Sequence, residues 1–415
     1  MQESGAVAQE RRNAPHSALN WRERRIAGAL QNAFGPSAHG RLLVEFPSGG
    51  TVALGGGTGP AARMKLASFK PVWRLMTRGS LGLAESYMRA EIDTPDLGAV
   101  LRFLNMNYPA VMSASGGVSR ARLSDIWWHK RRENTRRGSR RNIAAHYDLG
   151  NDFYKLWLDP GMTYSSAIFR AADAKLQDAQ EEKYRVVLDA LELKAGDRLL
   201  EIGFGWGGLA ERAARNGAEV TGLTLSKEQL AYAQQRLKAA SLADRVDLRL
   251  EDYRDCSGAF DCIASVEMIE AVGEAHWPRY FETIAARLTS GGKAVIQSIT
   301  IDERHFATYR RQADFIQRYI FPGGMLPTVA RMKDEAAKAG LQFETVERFG
   351  QSYAVTLREW RLRFLSHWPE IEQLGFDERF KRMWIYYLTY CEVGFESGDV
   401  DVGIFRLTKS RQSPH

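Results

Sequence analysis

The chain has 415 residues, 44% hydrophobic and 26% charged, with a formal net charge of +7. That length admits two domains of ordinary globular composition, and no apolar run approaches the roughly 18 residues that span a bilayer. The first thirty residues mix Glu and Arg without the apolar core of a signal peptide, so export is not expected. Cys256, Cys262 and Cys391 make neither a disulfide framework nor a C-x-x-C pair, which points to a reducing compartment, packing roles for the thiols and no metal.

In chain order, Gly40–Phe46 and Thr51–Leu54 flank Pro47-Ser48-Gly49-Gly50 and read as a hairpin. Helical patterns follow at about 80–90 and 97–106, the second led by Thr94-Pro95-Asp96. The small, glycine-bearing stretch 110–118 reads as a linker. Residues 1–142 hold 22 Lys and Arg against 10 Asp and Glu, a net of +12, and the remainder carries −5. Much of the excess lies in Lys130–Arg141, just after Trp127-Trp128. Basic residues beside paired tryptophans suit an anionic membrane surface; nucleic acid is the rival partner, and a solvated face is the third reading of the run.

From Asn142 onward, apolar strands at about 198–202, 219–224, 245–250, 260–265 and 293–300 alternate with helical stretches, with two further strands at 341–347 and 401–408. Such alternation predicts a parallel sheet covered on both faces. In doubly wound sheets the ligand sits beyond the carboxyl ends of the strands, which places Glu201, Thr224, Asp252, Glu267 and Gln297 on one rim. Glu201-Ile202-Gly203-Phe204-Gly205-Trp206-Gly207-Gly208 is an apolar strand running into a glycine turn and a helix start. Glycines at 203, 205 and 208 let the backbone approach a ligand, and the helix start supplies free N–H groups. A dehydrogenase wants a carboxylate about 20 residues on, at the end of the second strand, where only Thr224 stands. The acid is Glu201, placed to meet an ammonium group, which S-adenosylmethionine has and NAD lacks. An ordinary structural turn is the alternative.

Longer motifs accompany this loop: Ala145-His146-Tyr147-Asp148-Leu149-Gly150-Asn151-Asp152-Phe153-Tyr154, Thr163–Ala167, Leu223-Thr224-Leu225-Ser226, Glu251-Asp252-Tyr253-Arg254, Ser265–Glu270 and Phe315–Gly324. Over roughly residues 140–408 the chain resembles the cyclopropane-fatty-acyl-phospholipid synthase and mycolic acid methyltransferase family. The resemblance implies methyl transfer from S-adenosylmethionine to a cis double bond of a phospholipid acyl chain. It further implies that Tyr164 and Ser165 close over the cofactor, Gly203 and Gly205 cradle it, Thr224 and Gln229 reach its ribose, and Asp252 and Tyr253 lie near the adenine.

An isolated alkene is a poor nucleophile, so a dry, closely fitted site is required. Aromatic faces stabilise the resulting cation, and Tyr319, Phe321 and Tyr353 are the candidates, with ordinary core packing as the alternative for each. In the family a bicarbonate ion takes the proton; the resemblance gives its holders as Glu270, Tyr353 and backbone groups, at Ser166 and Ile299. Two departures stand out: Ser166 occupies the family's cysteine position and Gln297 its histidine position. A glutamine donates a hydrogen bond but carries no charge, which bears on bicarbonate use and ring closure.

The expectation is therefore a doubly wound, seven-stranded α/β methyltransferase sheet (143–415) behind a basic linker (121–142) and a small basic α+β domain (1–120). It would act as a cytoplasmic enzyme, peripheral at the inner membrane surface, without nucleic acid and with a homodimer as its possible assembly. The expected product is a cyclopropane chain, the alternatives being a methylene or methyl-branched chain or a non-catalytic lipid-binding relative.

Overall fold

The computed structural model describes residues 19–35, 38–108 and 149–410, together with Thr135 and Gly138. The expected linkers at 110–118 and 121–142, Trp127-Trp128 and His146 to Asp148 fall outside the described residues, Thr135 and Gly138 excepted. The described residues form two compact units, one holding 19–108 with 378–393 and the other 149–377 with 394–410.

The first unit opens with helix Trp21–Phe34, whose start is fixed by a reciprocal cap. The Asn20 side chain accepts from Glu23 N at 3.0 Å, and Glu23 accepts from Asn20 N at 2.9 Å, so two N–H groups without intrahelical partners are satisfied together. Strands β1 (Arg41–Glu45) and β2 (Thr51–Leu54) form the antiparallel hairpin read from the sequence. With β3 (Ala61–Leu66) and β4 (Ile92–Asp93) they make a four-stranded sheet in the order β2-β1-β3-β4. Leu42 and Val44 point inward from β1 with the period of two that strand geometry imposes.

Helix Lys70–Met88 is longer than the expected 80–90 and breaks at Gly79, whose φ of 57° and ψ of −141° lie outside helical space. A division of the chain at residue 143 assigns 378–393 to the second domain, but these residues pack with the first unit. The Arg382 guanidinium caps Tyr87 O and Ile92 O, each at 2.6 Å, and lies 4.3 Å above the Tyr87 ring.

In the second unit, β5 (Arg198–Ile202), β6 (Glu219–Thr224), β7 (Val246–Leu250), β8 (Phe260–Val266), β9 (Leu288–Ile301), β10 (Leu341–Arg348) and β11 (Val400–Lys409) form one sheet. Its order is β10-β11-β9-β8-β5-β6-β7. The pairings from β7 through β9 are parallel, whereas β11 is antiparallel to both β9 and β10. The expected doubly wound, seven-stranded sheet is thus present and mostly parallel; β11 enters from the opposite end and slots between β9 and β10. Its alternation of apolar residues cannot reveal direction, because strand periodicity is the same both ways.

The chain winds from β5 outward through β6 and β7, then returns to β8 on the other side of β5. The order reverses between β5 and β8, and a crevice forms outside the carboxyl ends of strands at such a switch point. Leu200, Ile263, Ile296 and Phe405 are buried beneath that rim. Among the described residues, no helix is long and apolar enough to cross a membrane, and no group of three His, Cys, Asp or Glu is arranged to hold a metal.

Candidate active site

At the end of β5 the chain turns through Gly203 (φ 84°) and Gly205 (φ 56°) into helix Gly208–Arg215. Positive φ favours glycine, and at Gly203 the space of a side chain is taken by Met268, 3.1 Å from where a Cβ would stand. Gly203 N and Phe204 N donate to Leu223 O at 2.9 and 3.3 Å, which ties the turn to β6. At Gly208 a Cβ would meet the Tyr184 hydroxyl at 2.3 Å, so the lack of a side chain there makes room for Tyr184.

Glu201 is buried on β5, and its Oε2 has no hydrogen-bond partner. Burial pushes its carboxyl up to about 8, opposed chiefly by the charge of Lys183. Lys183 is itself fully buried and pushed down to about 8 by loss of hydration. Its amine donates to Ser165 Oγ at 2.8 Å, while Gln180 Nε2 donates to Ser165 O at 2.9 Å. The loop that carries Tyr164 and Ser165, between helices Asn151–Trp157 and Leu176–Leu191, is therefore anchored to the second of them. Sequence reasoning passed over Gln180 and Lys183; the signal was their position on the apolar stripe with Ala179 and Val187, where an amide and an amine need a buried partner.

The expected rim residues take part in separate hydrogen-bonded groups. Thr224 Oγ1 donates to Gln229 Oε1 at 3.0 Å and accepts from Ser226 N at 3.2 Å, closing the turn after β6. Asp252 is clasped by the Arg254 guanidinium at 2.6 and 2.8 Å. Tyr253 packs edge-on against Tyr280, and burial raises its hydroxyl to about 12.

Glu267 and Gln297 form the third group. Glu267 Oε1 accepts from Ser166 N and from Gln297 Nε2, each at 2.8 Å, and Oε2 accepts from Tyr353 Oη at 2.7 Å. Its main-chain N–H donates to Gln297 O at 2.8 Å. Tyr353, Gln297 and Ser166 N, the groups expected around an anion beside Glu270, all donate to the Glu267 carboxylate. Of the expected anion holders only Ile299 joins Glu270, its N–H donating to Oε1 at 2.6 Å, while Oε2 of Glu270 has no partner. Burial, then the nearby charge of Glu267, pushes Glu270 up to about 8. Burial also raises Glu267, against which the bonds from Ser166, Tyr353 and Gln297 favour its ionised form.

Aromatic rings stand beside this group. Tyr353 stacks on Phe395 at 4.4 Å and meets Trp360 edge-on at 6.1 Å. Tyr164 lies 5.2 Å from Trp360 and 6.4 Å from Phe321, whereas Tyr319 packs on Phe315. The segment before Phe321 is a π-helical turn, Ile316–Ile320, and the loop after it is pinned by Met325 N donating to Glu270 O at 2.8 Å.

The family model of mycolic acid cyclopropane synthetase matches residues 134–405. The chain belongs to that family. It is 40% identical over 349 residues to the tuberculostearic acid methyltransferase UfaA1 of Mycobacterium tuberculosis, covering 82% of this chain and 81% of that protein. It is 36% identical over 368 residues to the cyclopropane-fatty-acyl-phospholipid synthase of Escherichia coli, covering 87% and 91%. The crystal structure of the mycolic acid cyclopropane synthase CmaA1 complexed with SAH and CTAB superposes with a TM-score of 0.62 at 31% identity, over 65% of this chain and 98% of that one. This member of the cyclopropane synthetase family is accordingly a methyltransferase that uses S-adenosylmethionine and acts on lipid.

The Gly208 contact gives a stability prediction. Gly208→Ala should destabilise the protein by about 1–3 kcal/mol, the usual cost of overpacking. Adding Tyr184→Phe should recover part of that loss, read as a non-additive double-mutant cycle in denaturant unfolding.

Proposed function

We propose that the chain transfers the methyl group of S-adenosylmethionine to a cis double bond within an unsaturated phospholipid acyl chain. The observation that carries this reading is the unpartnered, buried Glu201 oxygen beside the glycine turn at the switch point. A buried carboxylate oxygen without a hydrogen bond is costly unless a donor or cation meets it, and the cofactor's ammonium is such a cation. On this reading Gly203 and Gly205 lie under the cofactor, Tyr164 and Ser165 close over it, and Thr224, Gln229, Asp252 and Tyr253 line its ribose and adenine side. Thr224 and Gln229 act as a pair, and Asp252 is held rigid by Arg254.

When bound, the cofactor supplies an electrophilic methyl whose bond to sulfur breaks as the alkene electrons form the new carbon–carbon bond. The protein's part is to hold the two partners in a water-poor site and to face the positive charge left on the chain with aromatic rings, Tyr353 and Phe321 foremost. Loss of a proton from the new methyl then closes a cyclopropane. A second reading, an exocyclic methylene formed after a hydride shift, is favoured by Gln297, a neutral amide in the family's histidine position, and by the likeness to a tuberculostearic acid methyltransferase. Membrane attachment is supported by the +12 of residues 1–142 and by the exposed Trp21, Trp73 and Met76 of the first unit.

Three measurements test this reading. Lipids from cells expressing the chain should gain one CH₂ by mass spectrometry, and upfield ring protons should separate a cyclopropane from a methylene; lipids unchanged in mass would remove the proposal.

Cofactor binding should release a proton. Below about pH 8 the free enzyme holds Glu201 protonated, and a cation selects the carboxylate, so affinity rises as pH climbs from 6 towards 8. Calorimetry in two buffers of different ionisation heat reads the released proton, and Glu201→Gln should weaken binding roughly 10- to 100-fold, as for a lost charged hydrogen bond.

Binding to anionic vesicles should fall steeply with salt, since screening shortens to about 3 Å at 1 M. Equal binding to neutral and anionic vesicles would remove the membrane argument.

A further inference from the structure

We propose that Glu267 is the proton acceptor of the reaction, its carboxylate standing where an external bicarbonate would otherwise be held, so that the enzyme turns over without bicarbonate. The inference rests on the methyl-transfer reading above. The donors that could grip a small oxyanion are already committed: Ser166 N and Gln297 Nε2 to one oxygen of Glu267, Tyr353 Oη to the other. An added bicarbonate would have to displace a covalently tethered carboxylate from three hydrogen bonds while sitting between Glu267 and Glu270. The site as built does not fit it.

The backbone shows that this position is special. Glu267 has a φ of 48°, in the left-handed region, as a residue directly after β8. A non-glycine residue there costs of order 1–3 kcal/mol and persists where surrounding contacts hold it. The contacts are the three donors together with the Glu267 N–H bond to Gln297 O. The residue as a whole is only partly buried. The next residue, Met268, covers Gly203 of the glycine turn, which sets the carboxylate one residue away from the cofactor cradle.

The step balances without another reagent. After methyl transfer the lipid carries the new methyl on one carbon and a positive charge on its neighbour. A Glu267 oxygen takes a proton from the methyl, and the C–H electron pair forms either the ring bond to the cationic carbon or, after a hydride shift, the double bond of a methylene. Glu267 ends as a carboxylic acid and returns its proton to solvent. Gln297 Nε2 and Tyr353 Oη are positioning groups: they fix the carboxylate and favour its charged form before the step.

The positive φ makes the test clean, because glycine relaxes the backbone at this position. In bicarbonate-depleted buffer the wild-type enzyme should keep its full rate, measured as S-adenosylhomocysteine release and lipid mass gain in the same run. Glu267→Gly should bind S-adenosylmethionine as wild type does but lose roughly 10²- to 10⁴-fold in rate, the usual worth of a positioned base. Adding bicarbonate or formate should restore at least about a tenth of the loss, the anion occupying the vacated donors. Glu267→Gln, which keeps the shape and one acceptor oxygen but no base, should be as slow as the glycine variant. A Glu267→Gln enzyme near wild-type rate would make the residue a positioning group only, and a wild-type enzyme that stops on bicarbonate removal would overturn the proposal. A wild-type enzyme that adds carbon to no lipid would instead strike the methyl-transfer reading.

Discussion

Loss of hydration at the carboxyl edge of the large sheet is the constraint on which the site depends. Glu201, Glu267 and Glu270 are all raised by it, and Lys183 is lowered by it. Each group answers the same penalty differently. Glu267 collects hydrogen bonds, Glu270 takes one main-chain N–H and leaves its other oxygen bare, and Lys183 spends its proton on Ser165. Glu201 alone has an opposed charge nearby and yet an oxygen with no hydrogen bond, so it is the group whose energy falls furthest when a cation arrives. Carboxylates placed as near as Glu267 and Glu270 do not both ionise easily. The bonds around Glu267 favour its charged form, and Glu270 is left the natural holder of the proton.

The sheet explains why these groups meet. Reversal of strand order between β5 and β8 sets Glu201, on one strand, next to the turn that follows the other. Leu200 and Ile263 lock the two strands below the rim, so their positions are set by core packing and not by the polar groups themselves. The long β9 then brings Gln297 alongside Val266, and helix Gly350–Ser366 brings Tyr353 from the far side. A strand and a helix therefore hold two of the donors to Glu267, and the third, Ser166 N, lies in the loop that Gln180 and Lys183 anchor, an arrangement that would suit the proposed proton transfer.

The strands of the large sheet were legible because apolar runs of four to eight residues broken by glycine and polar turns have few other uses in a chain of this length. The hairpin and helix Leu97–Met106 were legible for the same local reasons. What local pattern could not carry was direction and partnership. β11 reads the same in either sense, and helix Glu378–Ser397 gives no local sign that Arg382 will cap Tyr87 and Ile92. Glu267 was visible on the rim, but its left-handed backbone and its three donors come from segments 30 to 101 residues away. Motif matching drew attention to Glu270, three residues on, because a motif records residue types and not which of two nearby acids a tyrosine will reach.

One consequence concerns how similar sites give different products. Ring closure and methylene formation remove the same proton, from the transferred methyl, and differ only in whether a hydride has first moved along the chain. A base fixed at Glu267 serves both, so the identity of the base does not choose between them. On the proposed reading the choice falls to the lifetime of the first cation against its rearranged form, which would depend on how the rings of Tyr353 and Phe321 face the charge. Tyr353 is coupled to both sides of this balance: its hydroxyl holds the carboxylate and its ring stacks on Phe395 beside Trp360. On the proposed reading a slight change in that ring's tilt would alter proton removal and cation stability together, so one side chain would bear on both the rate and the product.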